Sequence, residues 1–100
     1  MEVKIIEKDN VLTAVLNGRL DTSVSAEVSA AIQPLLDHAE KTLVLDCKDL
    51  SYISSSGLRI FLTIRKAAGA KGGKVIVKDI NNEIRQVFMM TGFVNLFEIQ

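Results

Sequence analysis

Short apolar runs alternate with helical patterns along most of the 100-residue chain, and this alternation constrains the fold more than any other feature. The run Thr42–Asp46 is bounded by polar residues, which predicts a central strand buried on both faces. An apolar stretch at helical spacing begins at Leu58 and ends in the glycine-rich turn 69–73, which predicts a largely buried helix. The run Lys74–Lys78 predicts another strand.

The first twenty residues predict an antiparallel hairpin. Val3–Lys8 alternates apolar and polar residues, and Val11–Leu16 is apolar and rich in β-branched residues. The residues between them, Asp9 and Asn10, are typical of a tight turn. Gly18 then allows the chain to bend.

Capping residues and helical spacing predict two further helices. The pair Thr22–Ser23 supplies an N-cap for the first, and Pro34 predicts a kink or an end soon after it. The pair Asn81–Asn82 supplies an N-cap for the second, and Gly92 is a natural terminator. The apolar residues at helical spacing are Val24, Val28, Ala31, Leu35, Ile84, Val87 and Phe88. The last segment, Leu96–Gln100, is expected to form an edge strand.

These elements predict a small α/β fold in the order strand, strand, helix, strand, helix, strand, helix, strand. We expect a mixed, mostly parallel sheet of about five strands with helices packed on it. A chain of 100 residues has the length of one ordinary domain, so residues 1–100 are expected to form a single domain. The order of the strands in the sheet is left open.

Charge and hydropathy argue against several classes of partner. Lys plus Arg and Asp plus Glu balance at 12 each, so nothing in the net charge favours nucleic acid or an anionic membrane. The N-terminus lacks the apolar stretch of a signal peptide, and no apolar run approaches the roughly 20 residues that span a bilayer. We therefore expect a cytoplasmic protein without direct membrane insertion.

The chain offers few groups for catalysis, for a metal or for a cofactor. The single cysteine, Cys47, closes an apolar run and is expected to be a small buried residue. The single histidine, His38, lies in a polar stretch and has no sequence context that ties it to a nucleophile. The segment Gly69–Lys74 resembles a phosphate-binding loop only superficially, because Val75 replaces the required Ser or Thr. We therefore expect no enzyme activity, no metal and no cofactor.

A serine-rich segment, Ser51–Gly57, connects the predicted central strand to the buried helix. Proteins of the α/β class place binding loops at this position. The commoner interpretation is structural, with one serine capping the helix and the others filling a tight polar turn. The residue pattern alone leaves both interpretations open.

Three segments carry a resemblance that covers nearly the whole chain. They are Asp49–Leu58, which contains four serines and a glycine, Gly18–Thr22, and Met90–Phe93. In order and separation they resemble the landmarks of the STAS domain family, specifically the bacterial anti-sigma-factor antagonists. The first is similar to that family's phosphorylation loop, the second to its glycine-to-aspartate loop, and the third to the Thr/Ser-Gly pair that ends its last long helix.

The resemblance implies a partner switch controlled by phosphorylation. An unphosphorylated antagonist binds an anti-sigma factor, usually also a serine kinase, and thereby frees the sigma factor. The kinase phosphorylates the hydroxyl residue two before the glycine, which is Ser55 here, and a PP2C-type phosphatase reverses the reaction. The partner-binding residues implied by the resemblance are Asp21, Thr22, Ser54, Ser56, Gly57 and Arg59.

Two positions depart from the family's pattern. Ser54 stands where the family often has Asp, and Arg59 stands where it often has a second Gly. The missing acid leaves Ser54 and Ser56 as alternative acceptors to Ser55. Because Arg59 follows Ser55 by one helical turn, we hypothesise that its guanidinium pairs with the phosphate and favours the phosphorylated state.

Two other functions compete with the partner switch. One is a STAS subunit that binds a membrane lipid-transport ATPase without being phosphorylated, and the other is an unrecognised small enzyme. The presence of Ser55 and Ser56 favours the switch over the ATPase subunit. The lack of catalytic groups argues against the enzyme.

Met89 and Met90 are adjacent, so both cannot face the core from one helix. One is expected to fill a gap in the core. The other is expected to be exposed, where a flexible thioether suits an adaptable partner surface.

Overall fold

The computed structural model describes residues 1–100. The strands are β1 (Glu2–Lys8), β2 (Val11–Leu20), β3 (Thr42–Ile53), β4 (Lys74–Lys78) and β5 (Glu98–Ile99). The α-helices are α1 (Ser25–Ala31), α2 (Gln33–Asp37), α3 (Ser55–Lys71) and α4 (Asn82–Thr91), with 3-10 turns at Thr22–Val24 and Phe93–Asn95. The strands lie in the order β1-β2-β3-β4-β5, with β1 antiparallel to β2 and all other neighbours parallel. The predicted element order and the mixed, mostly parallel sheet are confirmed.

The helices cover only one face of the sheet. Alternate residues of β2, β3 and β4 join one cluster of 23 buried residues with the helices. On the sheet these are Leu12, Ala14, Leu16, Leu43, Leu45, Cys47, Val75 and Val77. The residues between them, such as Val15 and Val44, are only partly buried. The prediction that Thr42–Asp46 is buried on both faces is therefore wrong, because successive right-handed crossovers in one direction place every helix on the same side.

Two strands extend further toward their carboxyl ends than the sequence predicts. β2 continues past its expected end at Leu16 to Leu20, and β3 continues past Asp46 to Ile53. The pairing register between them shifts at two positions, which are β-bulges or similar irregularities. Such shifts break the apolar alternation that a sequence pattern relies on. The predicted loop 51–57 is accordingly wrong in extent, since its first three residues belong to β3.

The first predicted helix is divided into three short pieces. Its N-cap is Asp21 and not Thr22 or Ser23, and the Asp21 side chain accepts a hydrogen bond from the Ser23 N–H. The break between α1 and α2 falls at Ile32, two residues before Pro34, and α2 ends at Asp37, soon after Pro34, as predicted. Pro34 stands in the first turn of α2, where a missing N–H loses no helical hydrogen bond.

The two longer helices follow the sequence prediction more closely. α3 begins at Ser55 with Ser54 as its N-cap, so a serine does cap the helix, and it ends at the left-handed residue Gly72. α4 is capped by Asn81 and ends at Gly92, as predicted. None of the helices is both long enough and apolar enough to cross a membrane.

Both adjacent methionines of α4 are exposed. Met89 and Met90 retain 63% and 86% of their accessible surface, so the prediction that one fills the core is wrong. The inward side of α4 is already occupied by Phe88, whose ring contacts those of Phe61 and Phe97 at centroid distances of 6.1 and 6.0 Å. Aromatic packing of this kind leaves no gap for a flexible side chain.

Candidate functional site

Two of the resembling segments meet at the carboxyl edge of the sheet. β2 and β3 are parallel neighbours, and their last pair in register is Leu20 with Ile53. The backbone N–H of Ser54 donates to the carbonyl of Leu20 over 2.9 Å. The Ser51 hydroxyl donates to the carbonyl of Gly18 over 3.0 Å. The parallel pairing therefore brings the segments 18–22 and 51–56 together.

A chain of hydroxyl groups fixes the start of α3. Ser54 has an extended backbone and is the N-cap, and its Oγ accepts from the Gly57 N–H over 3.2 Å. The hydroxyls of Ser54 and Ser56 are 2.9 Å apart and hydrogen-bonded. The Ser56 hydroxyl also donates to Thr22 Oγ1 over 3.3 Å. The network ties the helix start to the neighbouring loop.

The three consecutive serines occupy different environments. Ser54 and Ser56 are 8% and 9% exposed, and both side chains are hydrogen-bonded. Ser55 is the first residue of α3 and is exposed. Its side chain takes no part in the hydroxyl network. The structure therefore makes Ser55 the accessible hydroxyl of the three.

The Asp21 side chain, at the edge of the site, is held by two hydrogen bonds from Ser23. Its Oδ1 accepts from the Ser23 N–H at 3.0 Å and from the Ser23 hydroxyl at 2.6 Å. Hydrogen bonding to Ser23 lowers the pKa of the Asp21 carboxyl below its ordinary value of 3.8. The loop next to the serines therefore carries a fixed negative charge at neutral pH.

Gly57 is required by close packing rather than by its backbone angles. A Cβ at this position would lie 2.7 Å from Leu20 Cγ and 2.8 Å from Ile53 Cγ1. These atoms belong to buried side chains in the core. The first turn of α3 can therefore approach the ends of β2 and β3 only because residue 57 has no side chain. Gly57 is itself buried, so any contribution to partner binding is indirect.

Arg59 lies on the exposed side of α3, beside a polar groove between α3 and the helices α1 and α2. The groove has a volume of about 380 Å³. Its polar lining residues are Ser25, Ser29, Gln33, Ser56, Arg59 and Thr63. No hydrogen bond or ion pair engages the Arg59 guanidinium, whereas its carbonyl accepts from the Thr63 hydroxyl over 2.9 Å. The cation one turn after Ser55 is therefore free to bind an anion.

A stacked pair at the same edge was missed by the sequence reasoning. The guanidinium of Arg19 lies 4.4 Å from the ring centroid of Tyr52, and Tyr52 is 39% exposed. The two residues are partners in the parallel register. The sequence signal for this pair was Tyr52 in the polar stretch after Asp46. That signal can be interpreted only when β3 is known to continue to Ile53.

The third resembling segment lies away from these loops. α4 starts at the carboxyl edge, where Asn81 Nδ2 donates to the carbonyl of Leu50 over 3.3 Å. Its ten residues then run about 15 Å back along the sheet. Thr91 donates to the carbonyl of Val87 over 2.8 Å, and Gly92 ends the helix with φ of +80°. The Thr-Gly pair therefore terminates a helix near the opposite edge.

The two residues considered for catalysis lie elsewhere. Cys47 is fully buried in β3, as predicted, and burial raises the pKa of its thiol to about 12. His38 is exposed, and its ring lies 4.0 Å from the Glu40 carboxylate. No group of three or more His, Cys, Asp or Glu side chains comes together in a way that could hold a metal ion.

The model of the STAS domain family matches residues 2–100. The match therefore includes β1 to β5 and both loops at the carboxyl edge.

Two curated relatives are similar over nearly the full chain. One is BtrV of Bordetella bronchiseptica, named as an anti-sigma factor antagonist, at 29% identity over 99% of this chain and 85% of BtrV. The other is an anti-sigma F factor antagonist of Paenibacillus polymyxa, at 27% identity over 99% of this chain and 86% of the relative.

Solved structures share the fold at lower identity. SpoIIAA in its unphosphorylated form has a TM-score of 0.76 at 19% identity and covers 99% of this chain and 87% of its own. The phosphorylated form of SpoIIAA from Bacillus has a TM-score of 0.75 at 20% identity, with coverage of 99% and 91%. An anti-sigma factor antagonist from Mycobacterium paratuberculosis has a TM-score of 0.82 at 20% identity, with coverage of 98% and 83%.

Proposed function

The chain belongs to the STAS domain family, and from this premise we propose that it is an anti-sigma-factor antagonist controlled by phosphorylation of Ser55. In its unphosphorylated form it binds an anti-sigma factor that is also a serine kinase. Phosphorylation of Ser55 ends the complex, and a PP2C-type phosphatase restores binding. The two curated relatives bear the name anti-sigma factor antagonist, which supports this assignment.

The difference in exposure among three adjacent serines carries the proposal. A kinase must bring its active site to the acceptor oxygen, and only Ser55 presents its hydroxyl to solvent. Ser54 and Ser56 are buried, and their hydroxyls hold the helix start together. Transfer to Ser54 would break the cap, and transfer to Ser56 would break its hydrogen bonds to Ser54 and Thr22. Transfer to Ser55 leaves the hydroxyl network intact.

The start of α3 can accept a phosphate without unfolding. The first backbone N–H groups of a helix lack intrahelical partners, and the helix dipole favours negative charge there. α3 has 17 residues and no acidic residue in its first turn, so no carboxylate of the helix competes for that position. Phosphorylation adds about −1.5 to −2 charges. The domain then stays folded while its docking surface changes charge and shape.

The predicted partner-binding residues divide into two groups. Asp21, Thr22 and Arg59 have surface available for a partner. Ser54, Ser56 and Gly57 are buried and act by fixing the loops at the carboxyl edge of the sheet. Arg59 stays free in the unphosphorylated form and pairs with the Ser55 phosphate one helical turn away.

The proposed protein is a binding partner and not an enzyme, and it acts in the cytoplasm. The chemistry of the switch belongs to the kinase and the phosphatase. The role of this chain is to present one hydroxyl and to change its docking surface when that hydroxyl is modified.

The test starts with intact-mass analysis and fragmentation of the protein from its native cells. We expect one phosphate on Ser55. Ser55→Ala should still bind the partner kinase but stay bound when ATP is added, and Ser55→Glu should bind at least about tenfold more weakly. A phosphate on Ser54 or Ser56 would make that serine the acceptor in place of Ser55. No phosphate in any growth condition, with a transport ATPase co-purifying, would replace the switch with a constitutive binding subunit.

The role of Arg59 is tested separately with purified phosphoprotein. Arg59→Ala should lose its phosphate to the phosphatase faster than the wild type does. Lys66→Ala is the matched control, because Lys66 is an exposed cation of the same helix about two turns further on. Equal dephosphorylation rates in all three proteins would contradict the pairing of Arg59 with the phosphate.

A further inference from the structure

The groove between α3 and the helices α1 and α2 adjoins the start of α3. Its floor is apolar and is formed by Ile32, Leu36 and Ile60. Ser56 belongs both to the lining of the groove and to the hydroxyl network that fixes the first turn of the helix. With a volume of about 380 Å³, the groove can hold side chains of a partner beside the turn that carries Ser55.

Arg59 is the only charged residue that lines the groove. The helices α1 and α2 and the loop before them contain the acids Asp21, Glu27 and Asp37, but all three lie outside the lining. The ion pairs of the molecule involve other residues, so the Arg59 guanidinium has no anion of its own. A guanidinium in an acid-free groove favours an anionic ligand, and its planar fork binds a carboxylate through two parallel hydrogen bonds.

The same guanidinium is within reach of Ser55. Residues four apart on a helix are neighbours, with Cβ atoms about 5–6 Å apart, and helical side chains point toward the N-terminus of their helix. Arg59 is therefore directed toward the first turn of α3, where Ser55 is exposed. One cation thus stands between two positions for an anion, with the groove on one side and the Ser55 hydroxyl on the other.

We propose that a carboxylate of the partner lies in this groove and pairs with Arg59, and that the Ser55 phosphate displaces the partner by binding Arg59 in its place. This inference rests on the proposed function and adds the regulation of the same site. The occupant is an acidic segment of the anti-sigma factor, with an apolar side chain on the floor of Ile32 and Ile60. The phosphate is favoured because it carries about −1.5 to −2 charges and is held on the same helix as Arg59.

The direction of the switch also favours an acidic occupant. A phosphate weakens binding electrostatically only where the facing surface of the partner is negative. A basic segment would meet Arg59 as a like charge, and the phosphate would attract it and tighten the complex. A neutral segment would cover the guanidinium without giving it a counter-charge, which costs free energy. An acidic segment pairs with Arg59 before phosphorylation and is repelled afterwards.

The proposal is tested by the affinity for the purified partner kinase, measured with an ATP analogue that cannot transfer its phosphate. Wild type and Arg59→Gln are each prepared with serine or phosphoserine at position 55. Arg59→Gln should weaken binding of the unphosphorylated form about tenfold. Phosphorylation should weaken wild-type binding about 100-fold but that of Arg59→Gln only about tenfold, because the variant has no guanidinium left to lose. Arg59→Lys should lie between the two, since it keeps the charge without the fork.

A second measurement follows Arg59 without the partner. The NMR signal of its Nε–H should shift when Ser55 is phosphorylated, because the guanidinium then binds the phosphate. The matched control is Lys66→Gln, an exposed cation of the same helix, which should bind the kinase as wild type does in both forms. Circular dichroism checks that each variant is folded.

The outcomes separate this inference from the proposed function. An equal loss on phosphorylation in wild type and Arg59→Gln overturns the competition for Arg59 and leaves the partner switch standing. So does an unshifted Arg59 signal, or an unphosphorylated Arg59→Gln that binds as wild type does. A loss in Arg59→Gln that stays the same from about 50 to 500 mM salt overturns the carboxylate in favour of an uncharged occupant. Phosphorylation that weakens neither protein overturns the proposed function itself.

Discussion

The starts of α3 and α4 have the same type of capping hydrogen bond but differ in burial and in the charge of the first turn. Ser54 and Asn81 both have extended backbones, and their side chains accept from the N–H three residues on, at 3.2 Å and 2.8 Å. Ser54 is buried, whereas Asn81 is exposed. The first turn of α4 contains Glu83, but the first turn of α3 contains no acid.

The difference shows what distinguishes a structural helix start from one that can receive a modification. At α4, the positive end of the helix dipole already faces the Glu83 carboxylate. At α3, rigidity comes from buried hydroxyls and a close-packed glycine, so the dipole remains available to a group added at Ser55.

The largest effect is expected from adding one methyl group to the start of α3. Gly57→Ala should destabilise the fold by about 1–3 kcal/mol, because its Cβ would overlap Leu20 and Ile53 in a packed core. Gly69→Ala on the same helix meets only the end of the Arg65 side chain at 2.9 Å. It should instead stabilise by about 0.4–1 kcal/mol. Urea unfolding measures the stability of both variants. If Gly57→Ala were as stable as Gly69→Ala, the start of α3 would not be tightly packed.

Removing each cap should produce the next largest effect. Ser54→Ala and Asn81→Ala should each lose about 1 kcal/mol of stability in urea unfolding, since each leaves a helical N–H without its acceptor. Only Ser54→Ala should also slow phosphorylation of Ser55 by the partner kinase, because it removes the hydroxyl partner of Ser56. Equal kinase rates in both variants would mean that the buried hydroxyls do not position the loop.

The overall fold could be predicted because apolar periodicity survives in most elements. The hairpin, β4, α4 and the short β5 were all predicted near their observed positions. The extensions of β2 and β3 could not be predicted, because bulges interrupt the alternation on which a strand prediction depends. The sequence also did not predict that helices cover only one face of the sheet. A strand whose second face is only partly buried has the same apolar run as a strand buried on both faces.

The residue pattern located the serine-rich segment of the site, but it did not assign a role to each serine. Serine is a strong N-cap at any of the three positions, so the sequence does not say that Ser54 caps and Ser55 is exposed. That assignment depends on where β3 ends, which is a tertiary property. The pairing of Ser56 with Thr22 and of Arg19 with Tyr52 depends on the parallel register. A single sequence does not specify that register.

A smaller effect should follow from placing a negative charge at the first position of each helix. Ser55→Glu should stabilise the fold by about 0.3–1 kcal/mol at low salt, because the first turn of α3 has no acid of its own. Asn82→Glu occupies the same position in α4, where Glu83 already stands, and should gain less. Urea unfolding at low and high salt measures both gains, and the gain of Ser55→Glu should shrink as salt screens the dipole. A larger gain at α4 would reverse the contrast between the two helix starts.

The smallest effect concerns the negative charge of Asp21, which lies in the loop next to the start of α3. The pKa of the Asp21 carboxyl is lowered by the Ser23 hydrogen bonds, so the folded state holds the ionised form more strongly than the unfolded state does. Its stabilising contribution is therefore complete above the ordinary pKa of 3.8 and is lost as pH falls through the lower folded-state value. Asp21→Asn keeps the capping oxygen but removes the titrating carboxyl, so the stability of this variant should fall less steeply with acid than that of wild type.

Glu7→Gln is the matched control away from the site, because the Lys41 ammonium, 2.6 Å away, lowers the pKa of the Glu7 carboxyl through a hydrogen bond. Urea unfolding from pH 5 to pH 2.5 should show a flatter acid limb in both variants. Only Asp21→Asn should also change kinase binding at neutral pH, and an unchanged affinity would place Asp21 outside the partner interface.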